Sequence, residues 1–356
     1  LEKLLRKLMK IFTDLHHGSL FESLRILFED RLGHELYRPI GKEWQDAGFW
    51  EIARPYNNAA DTTDQYLGFH TGVWNAEKAL NGSREELGDG IYSVFDTFHG
   101  VKQKAITFEE FKKHNFDLIL ATYPTHGTVY KNLRDLYQPQ AKLAVQIGNG
   151  DRDPSEDLAV TDNILYSVTD PKPKSASNYV IYHQEFNLKP FLAARRVTLK
   201  KKIVNLMPLL VGESLEYWNM LRDAFPEFEY ESWGPGNELG SLHSLREIAD
   251  KMAEAMFVFH VKFFDGYGHL IHNAYAAGRP VLTVGRAYQG RMGGKLFSPR
   301  ITGIDLDESE WKEELEFWSQ PINNETLRRS AAARFDTVVD FAKEAEEVRS
   351  WIQNLR

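Results

Sequence analysis

The sequence predicts an α/β protein of two doubly wound domains facing a cleft, and three observations lead to that class. The chain has 356 residues, too many for one ordinary core and suited to two domains of about 150 residues each. Strand-like runs alternate with helical runs of about 10–15 residues, the pattern of a parallel sheet covered on both faces. The alternation then starts afresh after a proline and a basic run, between Asn187 and Lys202.

In the first half, KIFTDL reads as a buried strand and the HisHisGlySer segment as a turn. SLFESLRILFEDRLG reads as an amphipathic helix ending at Gly33, and HELYRPI as a second strand, which completes one βαβ unit. From about Lys42 to Gly90 the chain is rich in Trp, Asn, Gly and Asp without clear periodicity, which predicts an irregular excursion over the top of the sheet. TFEEFKKHN (helix), FDLILATYP (strand), HGTVYKNLRDLY (helix) and AKLAVQIGN (strand) resume the pattern. ILYSVTD and NYVIYHQEF read as the last strands of this half.

The second half repeats the grammar. KKIVNLMPLL, FEYESWG, AMFVFHVK and RPVLTVG read as strands. GESLEYWNMLRDAFP, SLHSLREIADKMAEA and GHLIHNAYAAG read as the helices between them, and the end is helical. This reading puts residues 9–190 in an N-terminal domain, 191–320 in a C-terminal domain, and 321–356 in a helix returning to the first domain. Ligands of open α/β sheets bind at the carboxyl ends of the strands, so two facing sheets offer a cleft for two substrates.

Composition removes several classes of function. A net charge of −8 speaks against a protein that grips nucleic acid through its phosphates. The absence of cysteine excludes disulfides, thiolate metal sites, iron–sulfur clusters and a Cys nucleophile. No uninterrupted run of roughly 18 apolar residues is present, so no transmembrane segment and a cytoplasmic location are expected. The segment LEKLLRKL before Met9 has two readings: an added leader ahead of a start at Met9, or a short basic amphipathic helix giving peripheral contact with an anionic membrane.

The run FVFHVKFFDGYGHLIHNAYAAGRPVLTV, Phe257 to Val284, is the most informative. A buried strand ends near Lys262, and a turn carries Asp265, Gly266, Tyr267 and Gly268. A helix opens near His269 and stops at Gly278, and Pro280 begins the next strand. Glycines at a strand-to-helix turn let a ligand approach the backbone, and the helix start offers N–H groups to an anion such as a pyrophosphate. The plainer reading, a glycine turn before an ordinary helix, uses the same residues.

This segment resembles the donor-binding segment of GT-B glycosyltransferases, many of whose retaining members carry an acidic residue, Gly-Phe-Gly, a second Glu eight positions after the first, and Gly-Leu-Pro-Val. Here the corresponding residues are Asp265, Gly266, Tyr267, Gly268, Asn273 and the run Ala276 to Val281. The resemblance covers about twenty positions in residues, and most of the chain in architecture: two Rossmann-like domains and a C-terminal helix. It implies transfer of a sugar from a nucleotide-sugar donor, a UDP-sugar type, to an unidentified acceptor. The donor is then a substrate, with no separate cofactor. It implies further that Asp265 contacts the sugar hydroxyls and Asn273 the ribose. Both positions depart from the usual Glu, which puts retention of stereochemistry in doubt.

Other candidates follow from position. GRAYQGRMGGKLFSPR holds Arg286, Arg291, Lys295 and Arg300 among glycines, a loop able to neutralise a leaving diphosphate. Related transferases carry such cations on the first loop of the second domain, but Leu210 to Ser214 has none. The expectation therefore moves to Arg291 and Lys295, with a solvated loop as the alternative. In the first domain, Gly18 permits close approach of a phosphate or sugar, and His16 or His17 suits a general base near neutral pH. Ser19 as a helix cap is compatible with that. His126, in ThrTyrProThrHisGly, sits at another strand-to-helix handover, as does Gln146 to Gly150. Glu185 either faces the cleft from the hinge or pairs with Arg195 and Arg196.

His16, His17, His269 and His272 raise a zinc reading. No metallohydrolase carboxylate motif accompanies them, and the resemblance implies metal-independent catalysis, so no metal ligands are assigned. Two other functions stay open on the same fold: an epimerase or hydrolase acting on the nucleotide sugar itself, and a non-catalytic sugar- or nucleotide-binding relic. A dehydrogenase fits poorly, because no Gly-x-Gly-x-x-Gly follows the first strand.

Overall fold

The structure, a computed structural model, describes residues 8–14, 18–49, 52, 84–96, 98–122, 127–148, 160–168, 177–196, 200–208, 210–263 and 267–356. Two sheets organise it. The first contains β1 (Lys10–Thr13), β2 (Glu35–Pro39), β3 (Arg84–Gly88), β4 (Ile91–Asp96), β5 (Val101–Ile106), β6 (Leu118–Ala121), β7 (Lys142–Ile147), β8 (Asn163–Tyr166) and β9 (Asn178–Ile181). Their order is β3-β4-β5-β2-β1-β6-β7-β8-β9. The strands from β5 to β9 run parallel, with Ile11 beside Leu36 on one side and Leu118 on the other. Residues such as Leu118 to Ala121, apolar at every position, suit a strand buried on both faces.

The sheet departs from the expected all-parallel pattern at one edge, where β3, β4 and β5 form an antiparallel meander. Part of the segment expected to be irregular is therefore ordered strand. Along β5, Gln103, Ala105 and Ile106 are buried while Lys102 faces solvent, and Gly100 takes φ +72° in the β4–β5 turn, a value suited to glycine.

Helices α1 (Gly18–Arg25, continued as a π-helical stretch to Arg31), α2 (Glu43–Asp46), α3 (Phe108–Lys113) and α4 (Gly127–Tyr137) flank the sheet. Trp44 stacks on Phe12 and meets Phe111 edge-on, each pair 5.1 Å between ring centres. Such aromatic pairs add about 0.5–1.5 kcal/mol beyond the burial of their area.

The second sheet contains β10 (Lys202–Asn205), β11 (Glu229–Ser232), β12 (Phe257–Phe259), β13 (Val281–Thr283) and β14 (Gly303–Asp305), in the order β11-β10-β12-β13-β14, all parallel. Helices α5 (Lys189–Ala194), α6 (Glu213–Ala224), α7 (Leu245–Glu254), α8 (His269–Ala276), α9 (Trp311–Trp318), α10 (Pro321–Val338) and α11 (Phe341–Gln353) complete the chain. The buried Arg279 guanidinium donates to the carbonyls of Ala194, Met252, Ala253, Ala277 and Gly278, at 2.6–3.4 Å. One side chain thus satisfies acceptors at the carboxyl ends of α5, α7 and α8, where helices leave carbonyls without partners.

The C-terminal stretch is two helices where one was expected. Asp340 breaks it, its carboxylate accepting from the Lys343 N–H at 3.0 Å as the cap of α11. Ala331 and Phe335 of α10 belong to the second domain's core, whereas Ala345, Val348 and Trp351 of α11 are buried in the first. The Trp351 indole donates to the Asn178 carbonyl of β9 at 3.1 Å. The final helix therefore packs back on the first domain.

Candidate functional site

In each sheet the chain direction of strand addition reverses at one point, between β1 and β6 in the first and between β10 and β12 in the second. The carboxyl ends of strands at such a point diverge and leave a crevice for ligand. The connection after β12 leads through Val261, Lys262 and Phe263 towards α8. Asp265 and Gly266 lie outside the described residues. Gly268 opens α8 in the left-handed conformation, φ 81° and ψ 48°, and among the described residues no side chain caps this helix. A helix start carries partial positive charge and N–H groups that suit an anion. Ser214, in the first turn of α6, donates to the Val261 carbonyl at 2.7 Å and ties the β10 connection to the β12 connection.

The turn is held mainly from behind. The Tyr267 ring stacks on His272, 4.3 Å between centres, and its hydroxyl accepts the Gln184 N–H at 3.0 Å from the first domain. His272 Nδ1 donates to the Gly268 carbonyl at 3.0 Å; burial, reinforced by neighbouring His183, holds its pKa well below the ordinary imidazole value, so the ring is neutral. The His183 and His272 rings meet edge-on at 5.7 Å. His183 donates through Nδ1 and its backbone N–H to the Glu344 carboxylate of α11, at 2.6 and 2.7 Å. Tyr267 and Asn273 are buried, while His269 is half-buried with its ring 4.9 Å from Tyr267. The turn is therefore coupled by direct contacts to the hinge edge of the first sheet.

The two expected cations separate. Arg291 is buried and donates to the carbonyls of Lys262 and Phe263, at 3.1 and 3.2 Å, so it fixes the connection leading into the turn. Lys295 is exposed and lines a cavity of about 330 Å³ with Gln289, Phe297 and Asp305. Beside them lies Arg286, whose acidic partners sequence reasoning did not find. The Arg286 guanidinium sits 4.7 Å over the Phe263 ring and donates to Glu213 and Asp307, both at 2.7 Å. The glycine-rich basic stretch signalled Arg286, but its acidic partners come from α6 and from the segment after β14. His260, at the end of β12, is fully buried; burial, with help from Lys262 and Arg291, pushes its pKa down to about 3.

In the first domain, Thr122 at the end of β6 donates to Asp14 at the end of β1, and the Thr13 hydroxyl donates to the Leu120 carbonyl at 2.8 Å. The segments that carry His16 and His17, and His126, leave from these two neighbouring strands; all three histidines lie outside the described residues. Gly18 is buried at the first position of α1. Glu185 pairs with Arg31, at 2.6 and 3.0 Å, and so takes a partner other than Arg195 or Arg196. The turn between β4 and β5 carries a second group absent from the sequence reading, a buried Asp96–His99 pair at 2.7 Å. Burial works against ionisation of Asp96, but hydrogen bonds from His99 bring its pKa below the ordinary carboxylate value.

Two α/β domains, each with a mainly parallel sheet and a crevice where its strand order reverses, and a C-terminal helix crossing back make this a GT-B fold. Solved structures share it over nearly the whole chain. HepE of Anabaena, in complex with UDP and glucose, aligns with a TM-score of 0.57 at 11% identity, over 98% of this chain and 100% of that one. The pneumococcal O-GlcNAc transferase GtfA, in complex with UDP and GlcNAc, gives 0.59 at 9% identity, over 98% and 99%. Sucrose-phosphate synthase from Thermosynechococcus elongatus gives 0.59 at 11%, over 98% and 99%. No protein-family model and no curated protein sequence matches the chain. Among the described residues, no helix is long and apolar enough to cross a membrane, and no three His, Asp or Glu side chains come together as metal ligands.

Proposed function

We propose that this chain is a glycosyltransferase that moves a sugar from a nucleotide-sugar donor to an acceptor, without a catalytic metal. The observation that carries the reading is the start of α8: a glycine in left-handed conformation, at the second sheet's crevice, opening a helix that no side chain caps among the described residues. In this reading the donor diphosphate lies against Gly268 and the first N–H groups of α8, with the exposed Lys295 as the cation to test. Asp265 and Gly266 are the residues to test for contact with the donor sugar. The structural relatives support the class of ligand, since HepE and GtfA were solved with UDP and a sugar. Arg291 acts as a positioning residue, because its guanidinium is engaged by backbone carbonyls. The first domain supplies the acceptor side, with Gly18 and His16, His17 or His126 as the groups to test for proton transfer.

A second reading, donor binding without transfer, draws on one observation: Arg291 and Asn273, two residues expected at the donor, are both buried. Product analysis separates the two. The full chain is incubated with nucleotide sugars, with and without a panel of glycan, lipid and peptide acceptors, and products are weighed by mass spectrometry. Transfer gives nucleoside diphosphate plus a hexose-mass adduct on one acceptor. Release of nucleoside diphosphate at the same rate with no acceptor indicates a hydrolase, and binding with no release indicates a binding module.

A further inference from the structure

The glycine-rich stretch after β13 packs as a fixed structure around one tyrosine. Tyr288 ends the short 3-10 turn Gly285–Tyr288 and is buried, as are Met292 and Gly293 beyond it. Its hydroxyl donates to the His260 carbonyl at 2.9 Å, which leaves His260 Nδ1 as the donor to the hydroxyl oxygen. The same carbonyl accepts the Thr283 hydroxyl at 2.6 Å, and the His260 N–H donates to the Leu282 carbonyl at 3.0 Å. Tyr288 is thus rooted in the ends of two paired strands, β12 and β13.

The rest of the stretch hangs from this root. The Arg291 N–H donates to the Tyr288 carbonyl at 3.2 Å, the Gly294 N–H to Arg291 at 3.0 Å and the Leu296 N–H to Gly293 at 3.1 Å. A Cβ at Gly294 would collide with the Tyr288 carbonyl oxygen, and one at Gly293 would lie 2.7 Å from Ile271 of α8. Glycine at both positions lets the backbone lie directly on Tyr288 and α8, closer than a side chain allows. From the other side, Arg334 of α10 donates to the Lys295 carbonyl at 2.9 Å. The Lys295 side chain stays exposed at the cavity it lines with Tyr288 and Arg291. A cation whose backbone is fixed on both sides loses less freedom on meeting an anion than one on a loose loop.

We propose that Tyr288, locked by His260, is a positioning residue of the donor site: it fixes the glycine-rich stretch against α8 and so places Lys295 for the diphosphate. This role rests on the donor reading above, and two measurements keep the two apart. Tyr288→Phe keeps the ring and removes the lock. Tyr275→Phe is the control, since it too removes a buried hydroxyl of this domain, one that donates to Thr302 at 3.2 Å. Hydrogen exchange by mass spectrometry, without ligand, should be faster across residues 289–296 in Tyr288→Phe and unchanged there in Tyr275→Phe. Calorimetry with UDP, GDP and ADP then completes a double-mutant cycle with Lys295→Ala. Tyr288→Phe should weaken the diphosphate that binds roughly 5- to 10-fold in the parent, and not at all in the Lys295→Ala background, because it acts through Lys295. Weakening that is absent, or equal in both backgrounds, overturns the role of Tyr288, and so does unchanged exchange across 289–296. A parent that binds no nucleoside diphosphate overturns the donor reading and this role with it. Circular dichroism checks folding; if Tyr288→Phe does not fold, His260→Leu, which removes the same lock from the other side, takes its place.

Discussion

Replacing Gly268 with leucine tests the phosphate cradle and separates it from backbone strain. Gly268 sits at φ +81°, and a Cβ there would lie 3.3 Å from the Ile271 side chain, so the new side chain fits after a shift of a few tenths of an ångström. The left-handed conformation costs a leucine about 1–2 kcal/mol relative to glycine. For a domain of this size that lowers the unfolding midpoint by roughly 2–8 °C. The binding effect should be larger. The side chain projects where the donor diphosphate approaches, and losing one charge-assisted hydrogen bond there costs about 1.5–3 kcal/mol. Affinity for a nucleoside diphosphate should then fall roughly 10- to 100-fold. Gly33→Leu is the control: its φ is +73°, no atom lies within 4 Å of the added Cβ, and it stands in the first domain. Isothermal titration calorimetry with UDP, beside thermal unfolding, gives both numbers. If Gly268→Leu binds UDP as tightly as Gly33→Leu while both lose similar stability, the cradle argument is wrong.

Arg279→Met should be among the most damaging single changes, at about 3–5 kcal/mol, because several buried helix-end carbonyls lose their donor together; urea unfolding that shows a loss under about 1 kcal/mol would contradict it. Lys295→Ala should slow turnover with little change in unfolding midpoint, whereas Arg291→Ala should lower the midpoint as well, since two carbonyls of the turn's approach are released. Stability should fall as pH drops from 6.5 towards 3. In that window the unfolded chain takes up a proton on His260 and the folded chain, with its imidazole held near 3, does not. His260→Gln should flatten the acid side of a plot of unfolding midpoint against pH, and an unchanged slope would refute the assignment.

Much of the architecture was legible because it is written in local signals. The restart of strand–helix alternation at Lys202, and the punctuation of Gly268, Gly278 and Pro280, need no knowledge of distant partners. The β4–β5 hairpin was missed because its strands follow an aperiodic stretch, and only Gly100 marks the turn. The break at Asp340 was missed because the residues on either side are both good helix. At the candidate site, spacing singled out Tyr267, Asn273 and Arg291 but carried no information on which way each points. Tyr267 faces the hinge because Gln184, 83 residues away, offers it a backbone N–H. The Arg286, Glu213 and Asp307 group was unreadable for the same reason, since three separate connections supply it. Long-range pairing decides these orientations, and a single sequence does not record it.

The most direct test of the account is a thermal-shift measurement on the full chain with UDP, GDP and ADP, each beside its nucleoside. A diphosphate that binds at the start of α8 stabilises the native state by mass action, by about 2.7 kcal/mol at a hundredfold excess over its dissociation constant. The account predicts a rise of roughly 5–10 °C in the unfolding midpoint with at least one diphosphate. It predicts no rise with the corresponding nucleoside, and loss of the rise in Gly268→Leu. A midpoint unmoved by every nucleoside diphosphate, or a shift that persists unchanged in Gly268→Leu, would contradict it.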